Sequence, residues 1–262
     1  MTAEPILEVA NAVKSFDGLT AVAGASFTVE KGSITALIGP NGAGKTTMFD
    51  LLSGFAKPDS GAIRFAGQPI TGKAPHRIAR LGLVRTFQLT RVLAGMSVID
   101  NMLLAAPRQP GQHLYSLLTA PRRANAAEDK ARDAALSLLE TFGLRSKAAD
   151  YAGALSGGQR KLLEIARALM TEPSMVLLDE PMAGVNPTLG HTILDHIASL
   201  RQSNGTSFLF VEHDMDVVMN RADRIVVMAQ GRVISMGTPE QVRADAAVIE
   251  AYLGGPAPEA KP

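Results

Sequence analysis

Two hydrophobic patterns alternate along this chain, and they divide it into regions. "SITALIG" (33–39) and "SMVLLDE" (174–180) are apolar on successive residues rather than on every second one. That pattern predicts strands buried on both faces, as in a parallel sheet covered by helices. "ILEVANAVKSF" (6–16), "ASFTVEKGS" (25–33) and "GAIRFAGQPI" (61–70) read as further strands punctuated by glycine turns, and a helix is predicted from Thr46 to about Ser53. From about Thr90 to Leu144 the β-branched runs give way to Ala and Leu. There "AAEDKARDAALSLLETFGL" (126–144) sets Ala131, Ala134, Ala135, Leu138, Leu139 and Phe142 on one helical face, opposite the charges. This reads as a helical insertion. "APRQPGQHLYSLLTAPRR" (106–123), rich in Pro, Gly and basic residues, is expected to be a mobile loop.

Strand and helix alternate again after residue 174. Helix "TLGHTILDHIASLRQS" (188–203), strand "TSFLFVEHD" (206–214) and helix "MDVVMNRA" (215–222) lead to "DRIVVMAQGRVISMG" (223–237), where an Ala-Gln-Gly turn predicts a hairpin. Alternating strands and helices imply a parallel central sheet and an α/β fold. The tail "GGPAPEAKP" (254–262) is disordered by composition.

Composition narrows the function classes. The 26 Lys and Arg against 25 Asp and Glu leave no polyanion-binding signature, so no nucleic-acid partner is expected. The lack of cysteine excludes disulfides, thiolate metal sites and a cysteine nucleophile. With no leader-like N-terminus and no apolar stretch of the roughly 18 residues that a spanning helix needs, the chain is expected to be soluble and to stay in the cytosol. A mean hydropathy of +0.11 fits either a large α/β core or docking onto a membrane protein.

The chemistry sits in three short stretches. "GPNGAGKTT" (39–47) fits G-x-x-x-x-G-K-[ST] between a predicted strand and a predicted helix. In this context the amides of Asn41, Gly42, Ala43, Gly44, Lys45, Thr46 and Thr47 would cradle phosphates. Lys45 would reach the β/γ-phosphates, and the Thr46 hydroxyl would ligate Mg²⁺. Asp179 and Glu180 end a buried strand, where α/β sheets place their ligands. Asp179 can hold Mg²⁺ through water, and Glu180 can orient or deprotonate an attacking water. "LSGGQ" (155–159) is the third stretch. Ser156 and Gln159 have capping-box spacing, yet capping alone does not call for Gly157 and Gly158, which weaken a first turn unless something approaches the backbone closely. An anion is the expected visitor, which makes a second phosphate cradle in one chain.

"LSGGQ" between the two nucleotide motifs resembles the signature of the ATP-binding cassette (ABC) ATPases, over about residues 6–253. The resemblance implies a P-loop NTPase (RecA-like) core with a mainly parallel sheet, an antiparallel β subdomain and an inserted α-helical subdomain. The core would span 1–89 and 165–253, the helical subdomain 90–164, and the tail 254–262. It further implies that Gln88 is the Q-loop glutamine at Mg²⁺ or the attacking water, that His213 contacts the γ-phosphate, that Phe16 stacks on adenine, and that Val22 lies at the nucleotide. "MAGVNP" (182–187) matches the D-loop, with Asn186 where many members carry Asp. His76, His113, His191 and His196 match nothing and are expected at the surface.

"VRTFQ", "AGVNP" and "VEHDMDVVM…ADRIVVM…GRVISMGTPE" followed by "VIEAYLG" look like the ATPase subunits of branched-chain amino-acid importers. The implied function is ATP hydrolysis, with Mg²⁺, coupled to solute import. The partners would be membrane permease subunits docked near Leu89–Met102, a second identical or related ATPase subunit whose nucleotide Ser156–Gln159 would face, and indirectly a periplasmic or extracellular solute-binding protein. The implied place is the cytoplasmic face of the plasma (inner) membrane, peripherally. Urea, amides or other amino acids remain alternative cargoes, and a soluble ABC ATPase is the contending class. That class usually carries a long coiled coil or two tandem cassettes, neither of which this chain contains.

Overall fold

A computed structural model describes residues 5–86, 92–107, 121–185 and 187–253 of the chain. The order is β1 (Pro5–Phe16), β2 (Leu19–Glu30), β3 (Ile34–Ile38), α1 (Lys45–Ser53), β4 (Ser60–Phe65), β5 (Gln68–Pro69), α2 (Pro75–Ala79), β6 (Leu83–Arg85), α3 (Val98–Leu103) and α4 (Pro121–Thr141). It continues through α5 (Gly157–Leu169), β7 (Met175–Asp179), α6 (Pro187–Asn204), β8 (Ser207–Val211), α7 (Met215–Arg221), β9 (Arg224–Ala229), β10 (Arg232–Gly237), α8 (Pro239–Ala244) and α9 (Ala246–Leu253).

The strands make two sheets, one antiparallel in the order β2-β1-β4-β5 and one in the order β10-β9-β3-β8-β7-β6. In the second sheet β9, β3, β8, β7 and β6 pair in parallel, and only β10 runs against its neighbour. The continuous apolar runs follow from burial on both faces. Ile34, Ala36 and Ile38 of β3, Val176 and Leu178 of β7, and Phe208 and Phe210 of β8 enter one core, which reaches α3–α6. Leu37, Met175, Leu177, Leu209 and Val211 point the other way, into a second core with α1 and the antiparallel sheet. Alternate residues thus face different cores, and neither face of these strands meets water.

The expected hairpin forms, with Gln230 and Gly231 both at positive φ as a two-residue turn requires. Several elements exceed the sequence expectations. The strand expected from Ala25 starts at Leu19, β6 and α2 occupy a stretch left unassigned, and α8 and α9 follow the hairpin. Helix α4 begins at Pro121, so the end of the expected mobile loop is helical, while 108–120 and the tail 254–262 lie outside the described residues. Pro at a first helical position costs no hydrogen bond, because that N–H has no partner inside a helix. His196 is not a surface residue as expected: it is half-buried, its ring 4.9 Å from Phe142, and burial lowers its pKa. His76 is exposed.

Candidate nucleotide site and a second anion cradle

The carboxyl ends of β3, β7 and β8 lie side by side, and the loops that leave them carry the candidate chemistry. The loop after β3 turns by means of its glycines. Gly39, Gly42 and Gly44 have φ of 151°, 78° and 97°, and a Cβ on Gly39 or Gly44 would lie 2.0 Å from the Met228 carbonyl oxygen or 2.3 Å from that of Ala21. These are backbone obstacles that no side-chain rotation relieves. Asn41, Gly42 and Thr46 are exposed, and Lys45 is buried, with its Nζ donating to the Gly39 and Pro40 carbonyls at 2.6 and 3.0 Å. Burial lowers the Lys45 pKa, and the charge of Glu180 opposes that shift. The cation is thus turned into its own loop, where the two carbonyls partly offset the cost of burying its charge. Ala43 is buried with its amide on the Pro40 carbonyl, and its own carbonyl accepts from Gly231, so the hairpin turn braces the loop. Val22, expected at the nucleotide, is fully buried, in the same core as Ala43 and Met48.

Asp179 closes β7 and is 5% exposed. Glu180 follows it with φ 48°, a left-handed conformation that is costly for a non-glycine residue. The strained turn sends the Glu180 side chain to His213, whose Nε2 lies 2.9 Å from Glu180 Oε1. A neutral imidazole with its proton on Nε2 donates there. Glu212, which sequence reading passed over, joins the two loops. Its buried carboxylate accepts from the Met182 amide at 2.8 Å and from the His213 amide at 3.3 Å, and burial pushes its pKa up. A glutamate after the apolar run "FLFV" was the available signal. Arg85 was also passed over. It ends the edge strand β6 and reaches both Asp179 and Asp50.

Among the described residues no group of three or more His, Cys, Asp or Glu side chains gathers as a metal cage. The donor set at hand, the Thr46 hydroxyl and the Asp179 carboxylate, fits Mg²⁺, which keeps several waters and takes the rest of its ligands from phosphates. Gln88 and Asn186, expected at the metal and in the D-loop, lie outside the described residues. Phe16 is 48% exposed at the end of β1, so its ring is not part of the core. The Lys14 ammonium sits 5.1 Å over one face of its ring.

The capping box of the second glycine turn forms as its spacing predicts. The Ser156 hydroxyl accepts from the Gln159 amide at 3.2 Å, and Gln159 Oε1 accepts from the Ser156 amide at 3.1 Å. The two glycines differ. A Cβ on Gly157 would meet nothing within 4 Å, whereas one on Gly158 would lie 2.2 Å from Leu189 Cδ2 of α6. The small size of Gly158 thus has a packing reason of its own, the approach of Leu189 of α6, which Gly157 lacks. Upstream, residues 94–99 are laced to 148–153: Gly153 donates to Ala94, Ala152 to Met96, Val98 to Asp150 and Ile99 to Ala148. Buried Asn101 bonds the Leu93 and Ser97 carbonyls through its amide and accepts from the Leu93 N–H. The described part of the expected docking stretch is thus tied directly to the strand of chain that enters "LSGGQ".

A family profile described as ABC transporter matches residues 22–183, and a second, described as branched-chain amino acid ATP-binding cassette transporter, matches 232–258. The chain is 44% identical over 249 residues to a probable branched-chain amino acid transport ATP-binding protein LivG of Archaeoglobus fulgidus, covering 95% of each chain. It is 43% identical over 251 residues to the high-affinity LivG protein of Escherichia coli strain K12, covering 96% of this chain and 98% of that one. Among solved structures, a nucleotide-free ATP-binding cassette from an ABC transporter superposes with a TM-score of 0.81 at 39% identity, over 96% of this chain and 100% of the other. The ADP conformation of such a cassette also gives 0.81, at 38% identity over 97% and 100%.

Proposed function

Because this chain belongs to the ABC transporter family, we propose that it is the ATP-hydrolysing subunit of a membrane importer for branched-chain amino acids. The observation that carries the catalytic part is the convergence of Lys45, Asp179, Glu180 and His213 at the carboxyl edge of one sheet, with Glu180 and His213 hydrogen-bonded. The names of the relatives and the 232–258 match support the cargo; no residue described above touches a solute.

In this reading the amides of residues 41–47 and Lys45 hold the phosphates, and Phe16 offers adenine the face that Lys14 leaves open. Thr46 and Asp179, with Gln88, would hold Mg²⁺, which would supply electrostatic stabilisation for the charge on the phosphates. Glu180 orients the attacking water and accepts its proton, and His213 fixes the Glu180 carboxylate while presenting its ring to the γ-phosphate side. The core would comprise 1–89 and 165–253, and the helical subdomain 90–164.

Gly157, open on its own chain, supports a composite site in which Ser156–Gln159 of one subunit closes on the nucleotide of a second, identical or related subunit. Exposed Leu93, Leu104 and Tyr151 lie on or beside the laced segment, and support docking of a permease there. Among the described residues no helix is long and apolar enough to cross a membrane, so contact with the bilayer would be peripheral and made through that permease.

The test is assembly. Glu180→Gln should stall hydrolysis and give an ATP-dependent dimer on size-exclusion chromatography, and adding Ser156→Arg, whose bulk fills the γ-phosphate seat, should abolish it. An elution profile unchanged across these variants, with ATP binding confirmed, would rule out the composite site.

A further inference from the structure

Arg85 ends the short strand β6, where burial gives a charged side chain every reason to be absent. The Arg85 side chain is nonetheless buried, only 8% exposed, and its two terminal nitrogens point to different elements. Nη1 donates to Asp50 Oδ1 at 2.6 Å and to Ser53 Oγ at 3.2 Å, both on α1. Nη2 donates to Asp179 Oδ2 at 2.7 Å, at the end of β7. The face of the guanidinium lies 5.6 Å from the Phe49 ring, again on α1. A planar fork of this kind fixes direction as well as charge, and desolvation makes each contact stronger than it would be in water.

The two elements it joins each supply a candidate Mg²⁺ ligand: α1 begins at Lys45 and Thr46, and β7 ends at Asp179. We propose that Arg85 is a positioning residue that sets the separation and orientation of these two ligands, holding Asp179 by its Oδ2. The inference rests on the proposed nucleotide site. Arg85 also stands three residues before Gln88 in the sequence, so the strut lies on the chain that leads toward the permease-docking stretch.

Charge and geometry can be separated by Arg85→Lys, which keeps the cation but cannot span both carboxylates. A fluorescent ATP analogue is titrated into each full-length variant, in EDTA and then in Mg²⁺, and the melting temperature is recorded alongside. Arg85→Lys should bind the analogue in EDTA within about twofold of the unsubstituted chain, yet lose at least about fivefold of the tightening that Mg²⁺ confers. Asp50→Asn, which leaves the Asp179 contact but loosens its anchor on α1, should lose about two- to threefold. If Arg85→Lys does not fold, Asp50→Asn carries the test alone.

An undiminished Mg²⁺ effect in the variants that fold would overturn the inference, and a lowered melting temperature alone would mark Arg85 as structural. Failure of the unsubstituted chain to bind the analogue would instead overturn the nucleotide site itself, and this inference with it.

Discussion

The glycine loop 39–47 and the glycine turn 155–159 are built on opposite principles. The loop 39–47 is complete within the chain: its glycines have positive φ, the carbonyls of Met228 and Ala21 crowd Gly39 and Gly44, and the Lys45 ammonium is held by the loop's own carbonyls. The turn 155–159 has ordinary backbone at both glycines, an exposed capping box, and open space over Gly157. A glycine demanded by its own fold and a glycine demanded by something outside it look alike in sequence. They differ in what a methyl group would strike.

The largest effect should therefore come from Gly39→Ala. A Cβ 2.0 Å from a backbone oxygen cannot be accommodated without moving β9 or the loop, so stability should fall by about 3 kcal/mol or more, with loss of detectable ATP binding. Chemical denaturation and nucleotide titration check both. A variant that is stable and binds ATP normally would erase the distinction between the cradles.

Gly157→Ala should leave the isolated chain within about 0.5 kcal/mol of its original stability, since the position is helical and unobstructed. It should nevertheless lower ATPase activity at high protein concentration by about tenfold, roughly 1.4 kcal/mol of barrier, by crowding the nucleotide of the opposing subunit. Retained activity would mean that nothing approaches this glycine.

The smallest effect is expected from Gly158→Ala. Leu189 can turn aside at a cost of about 1 kcal/mol, so a modest drop in melting temperature should accompany a nearly unchanged Kd for ATP. A loss of activity as large as that of Gly157→Ala, without a fall in stability, would show that Gly158 too must admit the approaching nucleotide.

Much of the site was legible because its chemistry is local. The spacing of Gly39, Gly44, Lys45 and Thr46, the acidic pair after "MVLL" and the Ser156–Gln159 capping box each depend on residues within a few positions of one another. The apolar runs of β3, β7 and β8 likewise announced a sheet covered on both sides. What escaped was relational. Arg85 looks like an interruption of a strand until Asp50 and Asp179 are placed on either side of it, 35 and 94 residues away. Glu212 is one more polar residue until its carboxylate is seen bridging the Met182 and His213 amides.

The sequence by itself determined the alternation of strands and helices, the phosphate loop, the acidic strand end and the presence of a second glycine turn, since backbone conformation and burial periodicity are written over short windows. Only the tertiary structure decided which glycine of that turn is spoken for by Leu189 and which is open. It alone decided that Val22 is buried in the core, and that one arginine joins the helix carrying Thr46 to the strand carrying Asp179. Those outcomes depend on distances between segments far apart in the chain, and packing, not local preference, sets such distances.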